Sequence, residues 1–183
     1  MSTTKMRPIR ETIALDEALA VVAEATRPLE RTERVRLANA GGRVAARDAA
    51  SEQYVPPFDR AAMDGFAVVA EDTFGAGRYD PSVLRCVETV FTGQTPRRGV
   101  SRGECAQIAT GAPMPHGADA VVMVEGTDRS DTEVRIFTPV YPRQNVGRRG
   151  ADIVPGQTLV TQGSVLSPGR IGALAAGGIA EVE

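Results

Sequence analysis

The sequence predicts a mixed α and β fold that is predominantly β, in which an elongated, discontinuous outer domain carries an inserted β-rich domain. The 19 glycines and 12 prolines are spread along all 183 residues. Residues that interrupt secondary structure so often predict short strands joined by tight turns. Helical periodicity occurs only in one segment near each end of the chain. We therefore expect residues 1–50 and 143–183 to form the outer domain and residues 51–142 the inserted one.

The first helix is predicted over residues 15–26, where Leu15, Leu19 and Val22 fall on one face at helical spacing. Its N-terminal end lacks a capping side chain, because Ala14 offers no oxygen. Pro28 is expected to end it.

Short strands are predicted through the middle of the chain. The pattern over residues 34–50 predicts two strands around Gly41-Gly42, and Pro56-Pro57 then enforces an extended break. Four apolar or β-branched runs indicate further strands, at residues 67–70, 84–91, 104–110 and 120–125. A loop is expected over residues 143–151, followed by a hairpin whose turns lie at Pro155-Gly156 and Gln162-Gly163.

A second helix is predicted to close the chain. Ser167 can cap it and Pro168 suits its first position, while Ile171 and Leu174 supply an apolar face. Gly177-Gly178 is expected to end it.

Composition excludes several classes of function. With 21 basic and 23 acidic residues the net charge is -2, which gives no global field for nucleic acid or an anionic membrane. No run of about 18 apolar residues occurs, and residues 1–10 lack the apolar core of a signal peptide. Cys86, Cys105 and His116 are too few for a zinc, haem or iron–sulfur site. We expect a cytoplasmic protein with a small-molecule substrate.

The first candidate site is the segment 56–66, where Asp59 and Asp64 lie among small and apolar neighbours. Such carboxylates could hold a hard cation such as Mg²⁺ or an ordered water. Alternatively, Asp59 caps a turn and pairs with Arg60, and Asp64-Gly65 forms a tight turn.

Two further segments could bind an anion. Thr110 lies at a strand end beside Gly111, where backbone N–H groups could hold an oxyanion; a proline-rigidified turn is the alternative. Arg148 and Arg149 are framed by glycines with Asp152 just beyond, which suits a phosphate or tetrahedral oxyanion. A solvated surface turn would have the same composition. His116 lies in a Pro/Gly turn and is expected at the surface.

Four ordered strings carry a resemblance to a known family. They are PPFDRAAMDGFAV (56–68), TGAPMPHGADAVVMVE (110–125), NVGRRGADI (145–153) and the tail from Pro155 through GGIAEV. Together they resemble the N-terminal half of molybdopterin molybdenumtransferases, the MoeA and gephyrin E-domain family. The resemblance implies that molybdate is inserted into adenylylated molybdopterin with Mg²⁺, with release of AMP.

The resemblance also implies roles for single residues by their motif positions. Asp64 and Asp152 match catalytic acids linked to Mg²⁺ or molybdate. Thr110 matches a positioning hydroxyl, and Arg148 matches an anion contact.

Two positions depart from the family pattern. Ala151 stands where an acid is common beside Asp152, which would remove one carboxylate from a cation site. Arg60-Ala61 replaces a more usual Asn-Ser after Asp59.

The sequence given ends at Glu183, before the molybdopterin-binding domain that the resemblance implies. In that family the active site lies between this domain and the N-terminal region of the partner in a homodimer. We therefore expect half a site and no turnover by this chain alone. The competing hypothesis is a non-catalytic dimerisation or interaction module. A β-rich sugar-acid or phosphate-binding enzyme would not account for four motifs in family order.

Overall fold

The computed structural model describes residues 12–27 and 29–183. It confirms a predominantly β fold with two α-helices, α1 (Leu15–Ala25) and α2 (Pro168–Ala176). The strands, in chain order, are β1 (Val35–Arg36), β2 (Ala49–Ala50), β3 (Arg60–Ala61), β4 (Gly65–Val68), β5 (Ser82–Val90), β6 (Glu104–Ile108), β7 (Ala120–Met123), β8 (Thr127–Ser130), β9 (Glu133–Ile136), β10 (Val146–Gly147), β11 (Thr158–Val160) and β12 (Glu181–Val182).

The first helix forms where the sequence predicts it, but its apolar face is uncovered. No residue of α1 is buried, and Leu15, Leu19 and Val22 are 74%, 57% and 56% exposed. The helix begins after Ala14 without a side-chain cap. It ends at Ala25, and the hydroxyl of the following residue, Thr26, donates to the carbonyl of Val22 at 2.7 Å. Pro28 lies outside the described residues.

A six-stranded sheet with the order β7-β4-β6-β5-β9-β8 forms the middle of the fold. The four strands predicted between residues 67 and 125 correspond to β4, β5, β6 and β7, but β4 begins two residues before the predicted start, and Ala70 begins a 3₁₀ turn instead. All neighbours are antiparallel except β5 and β6, which are parallel. Alternate side chains of β4 enter two cores, one around Phe66 and Val68 and one around Ala67. All four residues of β4 are buried, so its ends are fixed in position.

The prediction of two neighbouring strands around Gly41-Gly42 is wrong in its pairing. Residues Leu37–Asn39 form a 3₁₀ turn, and Gly42 lies in the left-handed region with φ 76°. The strands flanking this turn pair with the end of the chain, as β1 with β12 and β2 with β11. Each is only two residues long and gains its stability from packing against that distant segment.

The second helix is confirmed, although it does not close the chain. The Ser167 hydroxyl accepts from the backbone N–H of Arg170 at 3.4 Å, and Pro168 occupies the first turn. Leu174 is fully buried in a third core with Val160 and Leu166. The chain continues beyond α2 into β12.

The predicted loop over residues 143–151 contains a strand. Within it β10 pairs with β3, so that Val146 lies opposite Ala61 and Gly147 opposite Arg60. Arg143 and Asn145 adopt positive φ values of 71° and 57° just before β10. This sharp bend returns the chain to the side of β3.

Within residues 12–27 and 29–183, neither α1 nor α2 combines the length and apolar character that crossing a membrane requires.

Candidate functional site

The carboxylate of Asp64 is held by Thr110 where strand β4 begins and strand β6 ends. Its Oδ1 accepts from the backbone N–H of Thr110 at 2.7 Å and from the Thr110 hydroxyl at 2.9 Å. These bonds lower the pKa of Asp64, and the backbone N–H contributes more than the hydroxyl. Two residues predicted separately from the sequence are therefore in direct contact, and the exposed carboxylate is charged at neutral pH.

The position of Asp64 depends on Gly65, for a reason that the sequence does not reveal. Gly65 begins β4 and does not have a positive φ. A Cβ at this position would lie 1.9 Å from the carbonyl oxygen of Val122 in the neighbouring strand β7. The interpretation of Asp64-Gly65 as a tight turn is thus wrong, because the glycine permits close approach of two strands.

A pocket of about 190 Å³ adjoins this contact. Its lining combines the carboxylate with apolar and polar side chains, among them Asp64, Phe66, Thr89, Phe91, Gln107 and Val124. A small charged group beside an apolar wall suits the reacting end of a substrate.

The Thr110 segment is itself fixed on two sides. The carbonyl of Thr110 accepts from the Thr92 hydroxyl at 2.7 Å. The next residue, Gly111, has φ 82° and donates its N–H to the carbonyl of Ala61 at 2.8 Å. The predicted strand-end position of Thr110 is confirmed, and its donors are aimed by the backbone.

One interpretation of the sequence paired Asp59 with Arg60, and the structure shows that this pairing is wrong. Its Oδ2 accepts from Nη1 of Arg143 at 2.6 Å, and its Oδ1 accepts from the backbone N–H of Arg149 at 2.8 Å. The Arg143 hydrogen bond is the main reason why the pKa of Asp59 is lowered. Arg143 lies 84 residues away along the chain, so no local sequence signal identifies it as the partner.

Arg149 is held by an aromatic ring as well. Its guanidinium carbon lies 4.0 Å from the centroid of Tyr54, a cation–π contact. The loop stays close to this ring because a Cβ on Gly150 would meet Tyr54 Cδ1 at 2.6 Å. The glycines around the two arginines therefore have a steric function.

Arg148 and Asp152 are exposed. Among the described residues, no hydrogen bond or ion pair joins either side chain to Asp64 or Thr110. The predicted site residues thus form two groups: Asp64 is bonded to Thr110, and Arg148 lies on the loop with Asp152. Over the described part of the chain, no group of three or more His, Cys, Asp or Glu side chains could hold a metal ion.

Strand β3 connects these two groups. On one side, the N–H of Ala61 donates to the carbonyl of Ala112 at 2.9 Å, in the turn that begins at Thr110. On the other side, β3 pairs with β10, and the N–H of Ala62 donates to the carbonyl of Asn145 at 2.9 Å. The two halves of the candidate site therefore flank one strand.

Neither His116 nor Cys105 adds a reactive group to this site. His116 is exposed in its turn, as predicted. Cys105 is fully buried, and burial raises its pKa to about 12. A thiol of this kind stays protonated at neutral pH.

Comparison with known proteins identifies the family. Residues 13–178 match the family described as the MoeA N-terminal region, domains I and II. The chain belongs to the MoeA family. The four strings that carried the resemblance all lie wholly or largely within the matched residues.

Several MoeA relatives align with almost the whole chain. The molybdopterin molybdenumtransferase 2 of Mycobacterium tuberculosis is 37% identical over 169 residues, which are 92% of this chain and 42% of the relative. The molybdopterin molybdenumtransferase of Bacillus subtilis is 34% identical, over 94% of this chain and 41% of the relative. The chain thus spans about two fifths of the length of these relatives.

The fold is similar to that of solved MoeA structures. A crystal structure of the molybdopterin biosynthesis MoeA protein from Pyrococcus horikoshii matches with a TM-score of 0.85 and 38% identity. The match covers 94% of this chain and 45% of that protein.

Proposed function

We propose that this chain is the N-terminal part of a cytoplasmic enzyme of molybdenum cofactor biosynthesis, which inserts molybdate into adenylylated molybdopterin and releases AMP. The observation that carries this proposal is the exposed, charged Asp64 held by two donors of Thr110 beside a pocket. Membership of the MoeA family and the names of its relatives support the substrate class.

The lowered pKa of Asp64 restricts what this side chain does. A general base works best when its pKa lies near the working pH, and the bonds from Thr110 move the pKa of Asp64 away from that range. Asp64 therefore acts as a permanent negative charge that orients a cation or a donor group of the substrate. Thr110 is a positioning residue, because both of its donors bind Asp64.

The carboxylate of Asp64 is suited to a Mg²⁺ ion that is bound jointly with substrate. Mg²⁺ typically takes one or two protein carboxylates and completes its octahedron with phosphate oxygens and waters. Oδ1 of Asp64 accepts both bonds from Thr110, and Oδ2 accepts no hydrogen bond from the described residues. Asp152 is a second exposed carboxylate, with Ala151 beside it in place of an acid. When bound, the ion would neutralise phosphate and molybdate charge.

Arg148 supplies positive charge on the other side of β3. A guanidinium can bind two oxygens of a phosphate or molybdate group at once. Arg148 is exposed and makes no ion pair among the described residues. It is therefore free to contact an anionic substrate.

The proposal includes a homodimer and a molybdopterin-binding domain supplied from outside these 183 residues. The chain spans 42% of its M. tuberculosis relative, and the site described here is open on the side of Asp64. We expect no turnover by this chain alone. We also propose that residues 1–50 and 143–183 form one outer domain around residues 51–142, since β1 and β2 pair with β12 and β11.

The second candidate is a non-catalytic interaction module, and the uncovered face of α1 favours it. Asp64→Asn in the complete enzyme separates the two, with Asp128→Asn on the polar strand β8 as the matched control. We expect Asp64→Asn to lower molybdate insertion by about 100-fold, and to leave subunit association and the melting temperature unchanged. Equal activity of the two variants would contradict a catalytic role for Asp64.

A further inference from the structure

The strand pair β3–β10 and the residues beside it are rich in arginine. Four arginines lie on these strands or at their ends, Arg60, Arg143, Arg148 and Arg149. Asp59 is already paired with Arg143, and that bond raises the pKa of the guanidinium. Arg149 is stacked on Tyr54. Within the described residues, Arg60 and Arg148 have no ion pair or side-chain hydrogen bond.

The side chain of Arg60 lies across Gly147 in the neighbouring strand. The two residues are opposite each other in the β3–β10 register. A Cβ built on Gly147 would be 3.2 Å from Cγ and 3.4 Å from Nε of Arg60. The stem of Arg60 therefore occupies the place that a side chain at position 147 would take, and its guanidinium begins there, one residue from Arg148.

Position 60 also lies between the two halves of the candidate site. Arg60 forms a β-bridge with Pro113, in the turn that follows Thr110. On its other edge it pairs with Gly147. A cation at this position is close in the fold to both the Thr110 segment and the Arg148 loop.

The exposed guanidinium of Arg60 has no carboxylate partner among the described residues, so its charge stabilises no contact within the fold. Its stem packs on a glycine, which restricts its freedom without neutralising its charge. Arg60 lies on β3, and Arg148 directly follows β10. Two such guanidiniums suit a doubly charged tetrahedral oxyanion, because planar forks can share its oxygens.

We propose that Arg60 is an anion-binding residue of this site and that, together with Arg148, it binds a tetrahedral oxyanion group of the substrate. The proposal rests on the proposed function and extends it to a residue at which this chain departs from the Asn-Ser pattern of the resemblance. The oxyanion comes either from molybdate or from the phosphate of the adenylyl group.

The test is calorimetric titration of the 183-residue chain with sodium molybdate and, separately, with AMP at low ionic strength. The variants are Arg60→Gln, Arg60→Lys and the control Arg78→Gln, which removes an exposed arginine in a loop outside the site. We expect Arg60→Gln to weaken binding about tenfold, Arg60→Lys to weaken it less, and Arg78→Gln to leave it unchanged. Added salt should weaken binding by the native chain.

The titrant that loses affinity identifies the source of the oxyanion. A loss for molybdate alone assigns Arg60 to the metal oxyanion, and a loss for AMP alone assigns it to the adenylyl phosphate. The proposal is overturned if Arg60→Gln binds both titrants as tightly as Arg78→Gln does, or if the native chain binds neither.

These results are independent of the catalytic role of Asp64. Full activity of Asp64→Asn together with weakened anion binding by Arg60→Gln would contradict the proposed function and retain the anion site. Loss of activity in Asp64→Asn with unchanged anion binding by Arg60→Gln would support the proposed function and contradict the anion site at Arg60.

Discussion

Replacing Gly65 by alanine should destabilise the fold, since the new methyl group has no room. Its carbon would lie 1.9 Å from the carbonyl oxygen of Val122, 2.9 Å from the carbonyl carbon and 3.0 Å from the Cα of Met123. An ordinary carbon–oxygen contact is about 3.3 Å, so β7 would have to retreat by about 1.4 Å. That shift breaks the nearby hydrogen bond from Val124 N–H to the carbonyl of Asp64, now 3.0 Å.

The expected cost follows from these contacts. All three atoms belong to the backbone of β7, so no flexible side chain can move aside. Overpacking of this kind costs about 3 kcal/mol, which for a chain of this length lowers the melting temperature by about 6–12 °C. Asp64 directly precedes the substituted residue. We therefore expect the contact between Asp64 and Thr110 to loosen as well.

Thermal unfolding followed by circular dichroism measures this effect, with Gly77→Ala as the control. Gly77 has no positive φ, and a Cβ there would meet nothing within 4 Å, so Gly77→Ala should change stability by less than about 0.5 kcal/mol. The steric argument fails if Gly65→Ala melts within about 1 °C of the control.

Two other changes test separate parts of the structure. Thr110→Val removes one of two donors to Asp64, so the pKa of Asp64 should rise yet stay below the ordinary value of an aspartate, because the backbone N–H is the larger cause of its lowering. The stabilisation from this contact is present above the unfolded-state pKa of Asp64 and is lost as pH falls through the folded-state pKa. The stability of the Thr110→Val variant should therefore fall less on acidification than that of the native chain. An unchanged titration of the Asp64 carboxyl by NMR would refute the role of the Thr110 hydroxyl. Leu174→Ala should lower the free energy of unfolding by about 3 kcal/mol, because Leu174 is fully buried. Leu19→Ala should lower it by less than about 0.5 kcal/mol, because Leu19 is 57% exposed. Urea unfolding compares the two variants, and equal midpoints would count against the burial argument.

Elements with a strong local pattern could be predicted from the sequence. The second helix has a capping serine, an N-terminal proline and a closing glycine, and each takes its expected role. Strands β4 and β7 are short apolar runs whose presence was predictable, although β4 begins two residues before its predicted start. By contrast, β8 (Thr127–Ser130) is polar and lies at a sheet edge, where pairing with β9 rather than side-chain burial defines it.

Pairing over long distances could not be predicted, because local residues do not encode it. Val35 lies opposite Val182, and nothing near Val35 identifies that partner. The same limit applies at the site. Asp64 and Thr110 were recognised separately from their motifs, but their contact and the pairing of Asp59 with Arg143 depend on the three-dimensional fold.

The pairing of β1 with β12 also sets the order in which parts of the chain can fold during synthesis on the ribosome. Val35 is synthesised roughly 150 residues before its partner Val182, which at about 5–20 residues per second is a wait of about 7–30 s. All six strands of the middle sheet are complete by Ile136. That sheet can therefore assemble while β1 and β2 still have open edges. Strand β2 can pair as soon as β11 has emerged, whereas β1 must wait for β12, which follows α2.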